Sequence, residues 1–503
     1  MCGIAGLWGT NEEQTVRGMM ETLRHRGPDA CGVHLTEHGV LGHQRLSIMD
    51  PEGGDQPIYN ECGDAAIVAN GEIYNFPKLR RILKRRHDLS TGNDSESALH
   101  LYEDVAERAA EHLDGMFAFA ITQGNSLYLA RDPIGIKPLY YGRRGPDLLF
   151  GSELKALNGL AEDIREFPPG TWYHSRLGFK RFYEVPNHSP QELSAEKHGR
   201  RIRETLERAV IKRLMSDVPV GAFLSGGLDS SIIAALAKRH LSELHTFSVG
   251  VQGSRDLQAA RLVAEHLGTI HHEHVFTERD VQESLPEIIY YLESYDQDLV
   301  RSAIPCYFTS RLAAQHVKVI LTGEGADELF AGYTYYRGIK DPADLHRELR
   351  RSVCSLHNVN LQRVDRLTMA HSLEGRVPFL DTELIDVAQR VPPHFKMYRD
   401  EGGRLIEKWI LRKACEDLLP SDIVWRDKEQ FDEGSGTVDI VGAGFDHILA
   451  SRETPEYLAK HTAAALRSPE ECVYHKLLSD AYSGSQAVLG NVARWSFRDE
   501  PAT

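Results

Sequence analysis

The chain has 503 residues, enough for two to four domains at roughly 100–200 residues each. Acidic residues outnumber basic ones by 73 to 58, and the resulting net charge of −15 argues against a broad nucleic-acid-binding surface. Hydrophobic residues at 41% and charged residues at 26% exclude a wholly disordered chain or a fibrous repeat, and the apolar runs fall short of the roughly 20 residues a membrane helix needs.

The chain opens Met1-Cys2-Gly3-Ile4-Ala5-Gly6, with no basic stretch leading into an apolar one, so no secretory signal is read. Cys2, Cys31, Cys62, Cys306, Cys354, Cys415 and Cys472 form an odd, sparse set without a CxxC pair. This predicts neither a disulfide framework nor a structural zinc site, and a reducing cytoplasm as the compartment. Residues 1–185 predict strands with short helices: Gly39–His43, Ala65–Ala69, and a hairpin of Met116–Ile121 with Ser126–Ala130 about Gln123-Gly124-Asn125. Pro186-Asn187-His188-Ser189-Pro190 begins a linker that ends near Glu196. Beyond it, strands at Val218–Leu224, Leu244–Val251, Ile270–Phe276 and Val317–Leu321 alternate with helices at Ser230–Lys238, Asp256–Leu267 and up to about Leu292. That alternation predicts a parallel sheet. After about residue 340 the pattern is mostly helical.

Cys2 is the first chemical feature. Removal of Met1 would leave a thiol and a free α-amine on one residue. With unperturbed pKa values of about 8.5 and about 7.7–8.0, the amine can take the thiol proton near neutral pH. The second feature is Ser225-Gly226-Gly227-Leu228-Asp229-Ser230-Ser231 between a strand and a helix. Its glycines let several N–H groups face one anion at a helix N-terminus, which suits a phosphate or pyrophosphate; no Walker GxxxxGK[ST] pattern occurs. Leu321-Thr322-Gly323-Glu324-Gly325-Ala326-Asp327-Glu328 has the same strand-to-helix placement. In a parallel sheet both loops emerge at the carboxyl edge, where Asp229 and Asp327 can converge on Mg²⁺.

Met1-Cys2-Gly3-Ile4, Arg24–Asp29, His43–Ile48, Asn70–Asn75, Gly92-Asn93-Asp94 and Arg131–Gly135 occur in that order and spacing. Together they resemble the class II glutamine amidotransferase domain, an N-terminal-nucleophile hydrolase. The SGGLDSS loop resembles the PP-loop of ATP pyrophosphatases. With Gly375–Asp381 and Lys428-Glu429-Gln430-Phe431, residues 200–435 look like the synthetase half of the glutamine-hydrolysing asparagine synthetase family. The resemblance implies an α+β domain of stacked antiparallel sheets flanked by helices over 1–190. An α/β PP-loop ATP pyrophosphatase domain, with a parallel sheet and a helical C-terminal part, would follow over 196–503.

The roles the resemblance implies are these. Cys2 attacks the glutamine amide. The Asn70 side chain and the Gly71 N–H stabilise the oxyanion. Arg45 holds the glutamine α-carboxylate, Asp94 its α-ammonium, and Glu72, Ile48 and Met49 line that pocket. Phe223, Val249, Thr322 and Gly323 hold the adenine nucleotide through their backbone. Ser225, Gly226, Gly227, Asp229 and Ser230 hold pyrophosphate and metal. Asp327 joins Asp229 at the metal, Glu324 supports adenylate formation, and Lys428 offsets phosphate charge. The expected reaction makes asparagine, AMP, pyrophosphate and glutamate from aspartate, ATP and glutamine, with Mg²⁺ as cofactor, in a homodimer that engages neither nucleic acid nor membrane. In place of the family's Tyr-Asp-Val-Thr-Thr-Ile-Arg-Ala-Ser, the chain has Tyr295-Asp296-Gln297-Asp298-Leu299-Val300-Arg301-Ser302-Ala303. An amide synthetase of the same mechanism acting on another carboxylate, as in a natural-product pathway, is therefore the alternative; a noncatalytic regulatory homologue is the third. His271-His272-Glu273-His274 is expected to be a solvated or hydrogen-bonded strand end, and the cluster from Arg80 to Arg86 a solvated helix face.

Overall fold

The computed structural model describes residues 2–428, 431–438 and 454–495. Glu429 and Gln430 of the motif at Lys428, and Met1, lie outside them.

The N-terminal half contains twelve strands. These are β1 (Gly3–Trp8), β2 (Ala30–Leu35), β3 (Gly39–Arg45), β4 (Ile58–Tyr59), β5 (Ala65–Ile73), β6 (Gly115–Gln123), β7 (Ser126–Arg131), β8 (Tyr140–Arg144), β9 (Asp147–Gly151), β10 (Glu162–Glu166), β11 (Thr171–His174) and β12 (Gly178–Arg181). They form two antiparallel six-stranded sheets, ordered β10-β8-β9-β1-β3-β2 and β12-β11-β7-β6-β5-β4. The period-2 pattern of β6 explains the stacking. Phe117, Phe119 and Ile121 face outward, against Leu79 of α2 (Phe76–Leu83) and Leu99 of α3 (Glu96–Val105). Ala118 and Ala120 point the other way, onto Ile4, Leu41 and Phe150 of the facing sheet. A fourth layer, α1 (Glu13–Thr22), buries Val16, Met19 and Met20 against Ala5, Leu7 and Val40. The predicted hairpin turn falls at Gly124-Asn125, and Gly124 has φ +52°.

No helix or strand occurs between Arg181 and Ala195, where α4 (Ala195–Arg213) begins under a Ser194 cap. The C-terminal half is built on β13 (Val220–Phe223), β14 (His245–Gly250), β15 (Ile270–Val275), β16 (Val319–Leu321) and β17 (Glu374–Arg376). All pairings are parallel, in the order β15-β14-β13-β16-β17. The strands at 218 and 317 are shorter than predicted. The helix predicted from Ser230 starts earlier, as α5 (Leu228–Lys238), because Gly227 serves as its N-cap. α6 (Arg255–Leu267) ends on Gly268 in the left-handed conformation, as a glycine stop requires. α7 (Glu278–Leu292) and α8 (Gln297–Ala313) follow, and short α9 (Ala326–Phe330) comes after β16. The chain runs outward from β13 to β14 and β15, then returns to the other side at β16. A crevice therefore opens at the carboxyl ends of β13 and β16.

A buried ion-pair network joins the halves. Arg26 Nη1 donates to Glu153 Oε1 in its own half at 2.5 Å and across the junction to Asp365 Oδ2 at 2.8 Å, and Arg366 Nη1 donates across it to Ser152 O at 3.3 Å. An apolar cluster of Leu46, Ile48 and Met49 from one half with Val319 and Met369 from the other lies at the same junction.

Candidate active sites

Cys2 is buried at the start of β1, and its backbone N lies 3.1 Å from Asn70 Oδ1. That bond commits the oxygen end of the Asn70 amide. The nitrogen end, Nδ2, is buried without a partner, as a donor waiting for an oxyanion would be. Gly71 has φ +143°, and an added Cβ would sit 1.9 Å from Met116 O, so no side chain fits beside the predicted second donor. Burial pushes the Cys2 thiol up, against the pull of the chain's amino terminus, so the thiol needs a nearby base to ionise.

The predicted glutamine-binding groups gather around this point. Arg45, buried, donates to Asp50 O at 2.6 Å and to Asp55 Oδ1 at 2.5 Å. The Asp55 side chain is 69% exposed, so an incoming carboxylate can displace it from the guanidinium. The Ile48 carbonyl accepts from Asp217 N at 3.3 Å and that of Met49 from Arg45 Nη2 at 3.3 Å, so both are engaged within the protein. Asp94 accepts from Ile73 N at 2.5 Å. Burial lifts its carboxyl to about 6 even though that N–H favours the anion. Burial, helped by the neighbouring Glu374 and Asp94 charges, raises Glu72 despite Arg376 at 3.3 Å.

This electrostatic setting has a measurable consequence. A protonated Asp94 cannot neutralise an ammonium group, so glutaminase kcat/KM is expected to fall as pH drops through about 6. Asp94→Asn should lower kcat/KM and abolish that step. If the step persists in the variant, Asp94 does not hold the ammonium group.

The second site lies at the crevice. A cavity of about 350 Å³ is walled by Phe223, Ser225, Gly227, Asp229, Ser230, Val249, Thr322, Gly323, Glu324, Asp327 and Lys428. Ser225 Oγ and Ser230 Oγ lie 3.1 Å apart and fix the shape of the loop. Gly226 lies outside the wall and serves the backbone: φ is +73°, and a Cβ would fall 2.5 Å from Ala260 N. The two loops touch, since a Cβ on Gly323 would lie 2.9 Å from Ser230 N.

Asp229 Oδ2 and Asp327 Oδ1 each lie 2.6 Å from Lys408 Nζ, and Lys428 Nζ is 3.0 Å from Asp327 Oδ2. Burial raises the Asp327 carboxyl, but Lys408 and Lys428 overcome this and hold it well below the usual carboxylate range. Burial works against the Lys428 charge too, and Asp327 and Asp229 restore it. Asp229 Oδ1 is buried with no hydrogen-bond partner. Two hard oxygen donors, one of them unpartnered, fit a divalent cation.

The stretch at His271 behaves as a hydrogen-bonded strand. His271 pairs with Thr246 and Ser248 hydroxyls, and His272 Nε2 lies 2.9 Å from His245 Nδ1. Arg80 bonds Thr91 O, and Arg86 pairs with Asp104 at the surface.

Two family models match the chain. Glutamine amidotransferase domain covers residues 1–175, and Asparagine synthase covers 201–341 and 338–495. Asparagine synthetase [glutamine-hydrolyzing] 3 of Arabidopsis thaliana is 45% identical over 461 residues, 87% of this chain and 79% of that protein. Asparagine synthetase [glutamine-hydrolyzing] 2 of the same plant is 44% identical over the same shares, and asparagine synthetase of Triphysaria versicolor is 42% identical over 87% and 78%. The chain belongs to the glutamine-hydrolysing asparagine synthetase family. Its fold is that of the family's two parts, an antiparallel amidotransferase half and a parallel-sheet synthetase half.

Several groups at the synthetase crevice carry no local sequence signal. Lys408 sits in no phosphate-binding pattern, yet the fold brings it to Asp229 across 179 positions. Arg363, 39 positions away from Glu324, pairs with it. Trp495 and Phe431 close the wall from the C-terminal region. Asp298, Leu299 and Ser302 of α8 line the cavity, whereas Arg301 of the same helix lies outside the wall and gives both Nε and Nη2 to Glu470, at 2.9 and 2.5 Å, on the helix Pro469–Ala481. Among the described residues, no helix is long and apolar enough to cross a membrane.

Proposed function

We propose that this chain converts aspartate, ATP and glutamine to asparagine, AMP, pyrophosphate and glutamate. The observation that carries the reading is the crevice cavity, where two phosphate-type loops converge on Asp229, Asp327, Glu324 and Lys428. Residues 1–190 would make ammonia and residues 196–503 would use it. The family also implies a homodimer and a cytoplasmic location.

In the first half, the α-amine of residue 2 takes the thiol proton and Cys2 Sγ attacks the glutamine amide carbon. The oxyanion is held by Asn70 Nδ2 and the Gly71 N–H. Ammonia leaves as the amine proton returns, and water then hydrolyses the thioester to glutamate. In the second half, the side-chain carboxylate of aspartate attacks the ATP α-phosphorus and pyrophosphate leaves. The loop Ser225–Ser230 holds that leaving group at the N-terminus of α5, and Lys428 offsets its charge. Asp229 and Asp327 would hold Mg²⁺, which supplies charge neutralisation on the phosphates. Ammonia attacks the acyl-adenylate, which expels AMP. The attack needs a free lone pair, so a dry route matters. The apolar cluster from Leu46, whose carbonyl is 4.0 Å from Cys2 Sγ, to Val319 in β16 supports such a passage.

The Glu470 carboxylate on Arg301 favours one second reading, an acceptor other than aspartate. ATP–pyrophosphate exchange measured across a panel of carboxylates tests both. Exchange is expected with aspartate above all others, and its absence with aspartate would overturn the proposed acceptor.

A further inference from the structure

The outer edge of the amidotransferase half carries a cluster that the proposed chemistry does not use. Glu61 follows β4, His87 follows α2, and His100 and Glu103 lie one turn apart on α3. One donor atom from each lies within 4.8 Å of all the others. His87 Nδ1 is 3.0 Å from Glu61 Oε1 and 3.7 Å from Glu103 Oε2. His100 Nδ1 is 2.8 Å from Glu103 Oε2 and 3.5 Å from Glu61 Oε2. Four ligands at about 2.0–2.2 Å from a tetrahedral zinc stand about 3.3–3.6 Å from one another. The observed separations straddle that range. We propose that Glu61, His87, His100 and Glu103 form a binding site for a divalent transition metal, with zinc the ion best matched by two imidazoles and two carboxylates.

The surroundings are those of a ligand shell. A metal-bound imidazole usually donates its other ring N–H to a carboxylate or carbonyl. His100 Nε2 faces Glu96 Oε1 at 3.8 Å, and His87 Nε2 faces Asp104 Oδ1 at 3.6 Å. Both nitrogens are buried and lack a hydrogen bond, and a small ring rotation would give each one. Asn60 Nδ2 donates to Glu103 Oε1 at 2.6 Å and so orients that carboxylate.

His245, His272 and His316 also bring three nitrogens within 4.8 Å. Their rings are stacked, at 3.9 Å and 27° for His272 on His316 and at 6° for His245 on His272. Lone pairs in nearly parallel planes do not converge on one ion, so this trio is the natural control. The proposed ion has a structural consequence. His87 and His100 flank the segment that carries Asp94, and Glu96 also holds Ser90 N at 2.6 Å and Thr91 N at 3.0 Å. A metal would therefore pin both ends of a glutamine-site loop.

The test is a titration of the chelator-stripped full chain with ZnCl₂, followed by calorimetry and by Co²⁺ absorption. Parent, Glu61→Gln, Glu103→Gln, Glu96→Gln and His272→Ala proteins are compared in one series, so zinc taken up by the exposed Cys31, Cys62 and Cys354 subtracts. The expected result is one equivalent per chain with proton release, and intense four-coordinate Co²⁺ bands. That equivalent should be lost in Glu61→Gln and Glu103→Gln and retained in His272→Ala. Glu96→Gln should weaken it by about 10- to 100-fold. Glu61 is exposed, so its variant tests the site without threatening the fold. Equal binding in parent and Glu61→Gln, loss in His272→Ala alone, or weak six-coordinate Co²⁺ bands would each overturn the proposal.

Discussion

Cys2→Ala is expected to lose glutamine-dependent asparagine formation by on the order of 10⁴- to 10⁶-fold, the scale on which removal of a catalytic nucleophile acts. Synthesis from added ammonium should remain near the parental rate. The asymmetry follows from the layout. The thiol is buried against Asn70 in the antiparallel half, whereas Asp229, Asp327, Lys408 and Lys428 belong to the parallel sheet and its helical extension. The substitution leaves the Cys2 carbonyl in place to accept from Arg26 Nε at 3.0 Å, so the ion-pair network at the junction is undisturbed. Glutamate release and asparagine formation, measured side by side with glutamine and with ammonium, decide the matter. A folded variant that fails with both nitrogen sources would refute the division of labour between the halves.

Arg376→Met is expected to destabilise the protein by about 3–5 kcal/mol, the typical cost of breaking a buried ion pair from one side. Total stabilities are about 5–15 kcal/mol, so the loss is large. Arg376 is fully buried on β17. Its Nε donates to Glu374 at 2.6 Å, its Nη1 donates to the Arg213 and Met215 carbonyls at 2.7 and 2.6 Å, and Glu72 lies 3.3 Å away. Removal strands Glu374 without its partner guanidinium. Burial alone would raise the Glu374 carboxyl, but the amino terminus and Arg376 bring it down to about 2. A lowered folded pKa contributes stability that is complete above the unfolded value of about 4.3 and is lost as pH falls toward about 2. The urea midpoint should therefore drop most at neutral pH, and the gap between variant and parent should narrow in acid. A second change, Glu374→Gln, should recover part of the loss because it removes the stranded charge. An unchanged midpoint in the single variant would show that the pair contributes nothing. Arg376 O also accepts from Thr322 N at 2.9 Å, and its guanidinium faces Glu72, a proposed glutamine-pocket residue, so both activities should fall together.

Local chemistry made much of this molecule legible. The alternation Phe117-Ala118-Phe119-Ala120-Ile121 specifies a strand with a bulky face and a thin one, which is what stacking two sheets under helices requires. The glycines of Ser225–Ser230 and Thr322–Gly325 announce anion-binding loops because only such residues permit their backbone angles or contacts. The amine and thiol of residue 2 put the proposed nucleophile and its base on a single residue, so no long-range pairing is needed to see them. The limits are equally physical. The early start of α5 at Leu228 depends on a glycine N-cap, a role that serine more commonly fills.

Cavity-wall residues drawn from distant segments leave no spacing to read. Lys408 reaches Asp229, Glu470 occupies Arg301, and Arg376 approaches Glu72 only because separate elements pack at one place. The same holds for Glu61, His87, His100 and Glu103, which come from three segments and contain no cysteine pattern. Residue identity and short spacing thus determined the two half-folds and pointed to the proposed nucleophile and the proposed phosphate loops, since those rest on backbone angles, periodicity and groups within a few residues. Tertiary structure alone decided which charges neutralise one another, which carboxyl groups burial pushes up and which polar atoms remain unpartnered, because burial and distance across the fold set those energies.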